Sequence, residues 1–209
     1  MRVIRPMFIA AALLLGFTAQ AQVGNHPGLL DANLAERAAL LEVPGINAAI
    51  ADAIIGARPV LTLSDLDDAL SGLLDAEART ELYRHVARQI NLNSASREEI
   101  MLIPGMSARM AHEFEEYRPY TSLEQFRREI GKYVDAAEVA RLEQYVFVPM
   151  DLNSASGEAF LTIPGMSNRM VHEFEEYRPY TSFEQFRREI GKYVDADEVA
   201  RLESYVTID

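Results

Sequence analysis

Two sets of residues in this chain have types and spacings that could do chemistry. His112 and Glu116 stand four apart within HEFEE, the ligand spacing of a helical metal site, and His172 and Glu176 repeat it. Each copy lacks the second histidine and any evident third ligand. A solvent-facing His–Glu pair explains the spacing more simply, so no metal is expected. The other set is cationic. Arg109 follows a Pro104-Gly105 break, with Arg127, Arg128 and Lys132 clustered further on. Arg169, Arg187, Arg188 and Lys192 follow Pro164-Gly165 in the same order. Cations beside an interrupted helix suit an anion, because a restarted helix presents free amides and the positive end of its dipole. The serines sit where caps are needed rather than beside a base, and no glycine-rich phosphate loop is present. The chain reads as a non-enzyme without cofactors.

The elements that must position these residues recur. Pro44-Gly45, Pro104-Gly105 and Pro164-Gly165 are sixty residues apart, as are Arg58-Pro59, Arg118-Pro119 and Arg178-Pro179. Asn33, Asn93 and Asn153 keep the same step, as do Asp75, Asp135 and Asp195. Such a period sets the architecture before any single motif does. The units fall at 29–90, 91–150 and 151–209. The second and third are near copies; the first keeps the frame but has lost most of the surface chemistry.

Each unit reads as helices only. In the second, Ser96 with Glu99 forms a capping box, and Ile100, Leu102 and Ile103 supply apolar positions before the break. Ser107 caps a second helix carrying the stripe Met110, Ala111, Phe114 and Tyr117. A third helix begins after Thr121-Ser122 and ends at Gly131, and a fourth opens on Asp135 with Glu138. The run FVPMDLN reads as an extended connector, since Pro149 bars a continuous helix. Tyr117, Tyr120, Tyr133 and Tyr145 lie at helical spacings and read as core residues with wet hydroxyls. Sixty residues bury little core alone, so neighbouring units are expected to pack together.

Composition bounds the setting. The 209 residues include no cysteine, which excludes a disulfide framework or a thiolate site. Residues 1–21 read as a signal peptide: Arg2 and Arg5, then MFIAAALLLGF, then small residues at Ala19 and Ala21. The expected product is periplasmic and not inserted in the membrane, with 22–28 a short linker. The formal charge is −12, and losing Arg2 and Arg5 makes it two more negative. That balance opposes bulk DNA affinity, which phosphate neutralisation mostly supplies. Within a unit, however, Glu113, Glu115 and Glu116 crowd one helix and Arg127, Arg128 and Lys132 another, and Glu173, Glu175 and Glu176 repeat the acidic cluster.

NLNSAS, then IPGMSxRM, then EYRPYTSxEQF resembles the helix-hairpin-helix modules of ComEA-type competence proteins, exported DNA receptors of transformation. The resemblance covers the second and third units well and the first weakly. It implies an all-α fold of three tandem helix-hairpin-helix (SAM-like/ComEA-like) repeats. It also implies sequence-independent binding of the double-stranded DNA backbone, in which phosphate contacts position without specifying. The residues it assigns to that backbone are Gly105, Met106, Ser107 and Arg109, with Gly165, Met166, Ser167 and Arg169. The nearby cations Arg127, Arg128, Lys132, Arg187, Arg188 and Lys192 join them. Departures are visible. Ser107, Ser167 and Asn47 replace the second hairpin glycine, adding bulk and an oxygen able to cap the amides a phosphate would use. The family's second hairpin survives only as Gly131 and Gly191. Ala49 stands where Arg109 and Arg169 stand, so the first unit is expected to bind no phosphate. The alternative is a protein-interaction or structural module of the cell envelope, at a secretion or pilus machine.

Overall fold

The computed structural model describes residues 22–25 and 27–208. The expected signal peptide lies outside them. The described chain is mostly helical. Its first part runs β1 (Leu30–Asp31), α1 (Arg37–Leu41), α2 (Ala48–Gly56), α3 (Leu63–Leu70), α4 (Ala76–Leu82) and β2 (Val86–Ala87). Then come β3 (Ile90–Asn91), α5 (Arg97–Met101), α6 (Ala108–Glu116), α7 (Leu123–Ile130), α8 (Ala136–Glu143) and β4 (Val146–Phe147). The last part is β5 (Met150–Asp151), α9 (Gly157–Phe160), α10 (Asn168–Glu176), α11 (Phe183–Ile190), α12 (Ala196–Glu203) and β6 (Val206–Thr207).

The short strands depart from the helix-only reading. β1 pairs in parallel with β2, β3 with β4, and β5 with β6. Each pair joins the two ends of a sixty-residue stretch. Val86, Ile90, Val146, Phe147 and Met150 are buried there, so their backbone groups need partners. The connector FVPMDLN therefore contributes the end of β4 and all of β5, one on each side of Pro149.

Local chemistry sets the helix starts. Ser96, Ser107, Ser122 and Asp135 each cap the helix that follows, accepting the amides of Glu99, Met110, Gln125 and Glu138. Two expected capping boxes are half-formed. The Glu99 carboxylate turns away from Ser96 and accepts the Leu63 amide at 2.9 Å, while Glu138 pairs with Arg141. Gly105 has φ +78°, the left-handed conformation its turn requires.

An Asn–Arg clasp recurs in all three stretches. Asn93 exchanges two hydrogen bonds with the backbone of Tyr120, and Arg118 donates to the carbonyls of Leu92 and Ala95. Asn33 with Arg58 and Asn153 with Arg178 make the same bonds. This explains why those residues keep the sixty-residue step. Phe114 and Phe126 meet edge-on at 5.3 Å in the core.

The stretches also pack on one another. One hydrophobic core runs from Leu29 to Val148, and a second gathers Val23 and Phe147 with the third stretch. Residues 22–24, expected only as the start of a linker, lie along β4. Val23 is buried and bridges Phe147 in antiparallel sense, and the Gly24 amide donates to the Val146 carbonyl at 3.1 Å. A Cβ at Gly24 would fall 1.8 Å from the Glu143 carbonyl oxygen, so only glycine fits.

Candidate functional site

The Pro104-Gly105 turn is closed by the Met106 amide donating to the Ile103 carbonyl at 3.0 Å. Ser107 Oγ then takes the Met110 amide at 3.1 Å. Gly105, Ser107, Ala108 and Arg109 are exposed, whereas Met106 is half-buried against the core. Among the expected contacts, Met106 and Met166 are half-buried against the cores, and their amides close the turns. The amides of Ala108 and Arg109 lie at the start of nine-residue α6, where the helix field is positive.

The cations divide into two kinds. Arg127 makes a two-point bridge to Glu143 at 2.6 and 2.7 Å. Arg128 and Lys132 both bind Glu129. Arg187 with Glu203, and Arg188 and Lys192 with Glu189, repeat the arrangement. Lys132, then Arg128, holds the Glu129 carboxyl below its usual range through hydrogen bonding to its charged form. Arg109 and Arg169 differ: they make no ion pair among the described residues. Their guanidinium groups lie 5.8 Å from the ring centroids of Tyr133 and Tyr193.

The cation that touches the turn is one the sequence did not single out. Arg141 Nη1 donates to the Pro104 carbonyl at 2.7 Å, and its Nε and Nη2 hold Glu138. Arg201 repeats this on Pro164 at 2.9 Å. The sixty-residue recurrence of Arg141 and Arg201 was a readable signal, but spacing alone does not aim a side chain at a turn. The two turns also differ in openness. A Cβ at Gly165 would meet Leu34 Cδ1 at 3.1 Å, whereas at Gly105 the nearest atom would be Arg141 Nη2 at 3.6 Å. The third turn thus rests against the first stretch. At Gly45 the turn carries Asn47 and Ala49 and no cation.

The tyrosines separate as well. Tyr120 and Tyr145 are buried, but Tyr133 is 37 % exposed. The Tyr133 and Tyr117 hydroxyls meet at 2.8 Å. Hydrogen bonds to Tyr117 and to Glu113 push the Tyr133 hydroxyl above the phenol range. Lys132 Nζ lies 4.8 Å from the Tyr117 ring centroid.

His172 and Glu176 form an exposed pair at 3.3 Å. Among the described residues, no group of three or more His, Cys, Asp or Glu is placed to hold a metal, and no helix is long and apolar enough to cross a membrane. No protein-family model, curated protein or solved structure matches the chain.

Proposed function

We propose that the chain is an exported, non-catalytic protein of three tandem helix-hairpin-helix repeats that binds double-stranded DNA weakly and without reading sequence. In this reading the exposed turns at Gly105 and Gly165 face the phosphate backbone, in a DNA-uptake role like that of the ComEA-type proteins it resembles. The observation that carries the reading is Arg109. It stands in the first turn of α6 beside an open Pro-Gly turn with no carboxylate partner, and Arg169 repeats it on α10. Arg141 braces the same turn through the Pro104 carbonyl, its charge matched by Glu138. The hairpin of α5 and α6 is the more open of the two and is the primary contact.

A second reading is favoured by a specific observation. Arg127, Arg128 and Lys132 are each matched by a glutamate, and a phosphate would have to displace it. That surface suits a protein partner in the cell envelope, in a periplasmic secretion or pilus assembly, better than a polyanion.

Fluorescence anisotropy of a labelled duplex, followed across salt with the chain beginning at Gln22, separates the two. DNA binding gives an affinity that falls steeply with salt, and Arg109→Ala/Arg169→Ala reduces the log–log slope by about 1 for each phosphate that no longer meets a cation. Absence of binding at low salt sinks the DNA reading and leaves the envelope partner.

A further inference from the structure

One surface cluster is present in the second and third stretches and wholly absent from the first. Arg109, Tyr117, Lys132 and Tyr133 are matched sixty residues on by Arg169, Tyr177, Lys192 and Tyr193. The same geometry recurs: hydroxyls at 2.8 and 2.9 Å, Arg to ring at 5.8 Å twice, and Lys to ring at 4.8 Å twice. Sixty residues earlier the chain has Ala49, Ala57, Gly72 and Leu73. The first stretch nevertheless keeps the Asn33–Arg58 clasp, the turn at Gly45, the caps and the strand pairing. The fold therefore forms without the cluster, and all four residues are missing together. That pattern fits one shared task better than four separate packing roles.

The geometry indicates what the task is. Arg109 and Glu113 on α6 and Tyr117 at its C-cap follow one another at intervals of four, starting at the hairpin turn. Tyr133 lies beside them, with Arg109 near its ring. The Arg109 guanidinium, itself exposed, lies over the Tyr133 ring, and the exposed Arg169 guanidinium lies likewise over the half-buried Tyr193 ring; a guanidinium backed by a phenol is a platform for flat uncharged surfaces. In a duplex the bases are stacked on each other and cannot reach such a platform. In a single strand they can.

We propose that these two clusters are base-stacking sites, so that the chain binds single-stranded DNA more tightly than duplex. A phosphate sits at the hairpin turn, and the neighbouring unpaired base lies on the Arg109 or Arg169 guanidinium, which the Tyr133 or Tyr193 ring backs. This rests on the DNA reading given above and names the form of nucleic acid it favours. Stacking of this kind confers no base identity, since every base has a flat face, so the preference is for strand form and not for sequence.

The test measures anisotropy of a labelled oligothymidylate and of a duplex, with wild type, Tyr133→Leu/Tyr193→Leu and Tyr133→Phe/Tyr193→Phe. Leucine is what the first stretch carries at Leu73, exposed there by 48 %, so the fold tolerates it; thermal melting checks this. The wild type is expected to bind the single strand more tightly than the duplex. The leucine variant loses at least about fivefold in single-strand affinity with an unchanged salt slope, because no charge is removed, and its duplex affinity holds. The phenylalanine variant keeps the ring and loses the hydroxyl pair, so it retains single-strand binding. If the hydroxyl latch alone mattered, phenylalanine would fail with leucine. Duplex binding that depends on Arg109 and Arg169, with no single-strand preference or no effect of leucine, overturns this inference and leaves the DNA reading standing. Binding of neither form overturns both.

Discussion

The Arg88 guanidinium lies over the Tyr205 ring, 4.2 Å from its centroid, with the Phe147 ring at 5.2 Å. Its Nη1 donates to the Tyr205 hydroxyl at 2.6 Å and its Nη2 to Ser204 Oγ at 2.8 Å. Arg88 is fully buried, so this arrangement ties the end of the first stretch to the end of the third. Burial pushes the Tyr205 hydroxyl up to about 12, against the opposing pull of Arg88, so it stays protonated and ready to accept. Arg88→Ala removes a large buried side chain and leaves two hydroxyls short of a donor. The expected loss is about 3 kcal/mol in urea unfolding. Arg88→Lys recovers little of it, because a lysine cannot lie flat on the ring while bonding two hydroxyls. A loss below about 1 kcal/mol, the net worth of a single ordinary hydrogen bond, would mean that other groups hold the first and third stretches together.

Glu99 joins the first stretch to the second. Its carboxylate is buried and accepts the Leu63 amide, the first of α3. Burial raises the carboxyl above its ordinary range, and the Leu63 amide and Arg88 offset this only in part. A carboxyl raised in the folded state favours folding while it is protonated. That contribution is present at acid pH and is lost as pH rises through the folded value. Glu99→Gln keeps an oxygen for Leu63 and removes the buried charge. It is expected to match or exceed the wild type in stability at neutral pH, with the difference disappearing below the carboxylate range. Paired urea melts across pH measure this. A glutamine variant weaker at neutral pH would show that attraction to Arg88 outweighs burial.

The contrast between Ser96 and Glu99 shows how far the sequence could be read. Ser96, Ser107, Ser122 and Asp135 cap helices through partners three residues away, a local relation that spacing reveals. Gly105 was legible for the same reason: a proline followed by glycine between apolar runs has few conformations open to it. Glu99 has the right spacing for a capping box, yet its bond goes to Leu63, 36 residues earlier. The strand pairs escaped for a related reason. Ile90 meets Val146 across a whole helical stretch, and two residues per strand leave no alternation to detect. At the candidate site, Arg109 was legible as a cation after a turn. The pairing of Arg127 with Glu143 and the reach of Arg141 to Pro104 depend on how α8 packs, which no local pattern encodes.

Under the proposed DNA reading, Ser107 and Ser167 are expected to limit binding at the two hairpins. Each side chain accepts one amide of the helix it starts, Met110 at 3.1 Å and Met170 at 3.2 Å. A phosphate bound as proposed would compete with that hydroxyl for the same positive helix end. Ser107→Gly/Ser167→Gly frees both amides and removes bulk from the turn. Glycine is a tolerable cap, so the expected loss of stability is a few tenths of a kcal/mol per site. DNA affinity is expected to rise by severalfold, since each freed amide adds a hydrogen bond to a charged oxygen, worth about 1.5 kcal/mol or more before ordering costs. The salt slope should not change, because the number of cations is the same. Anisotropy and thermal melting on one preparation give both quantities. Unchanged affinity with the expected small stability loss would mean that the amides of α6 and α10 do not meet the phosphate. Binding would then run through Arg109 and Arg169 alone.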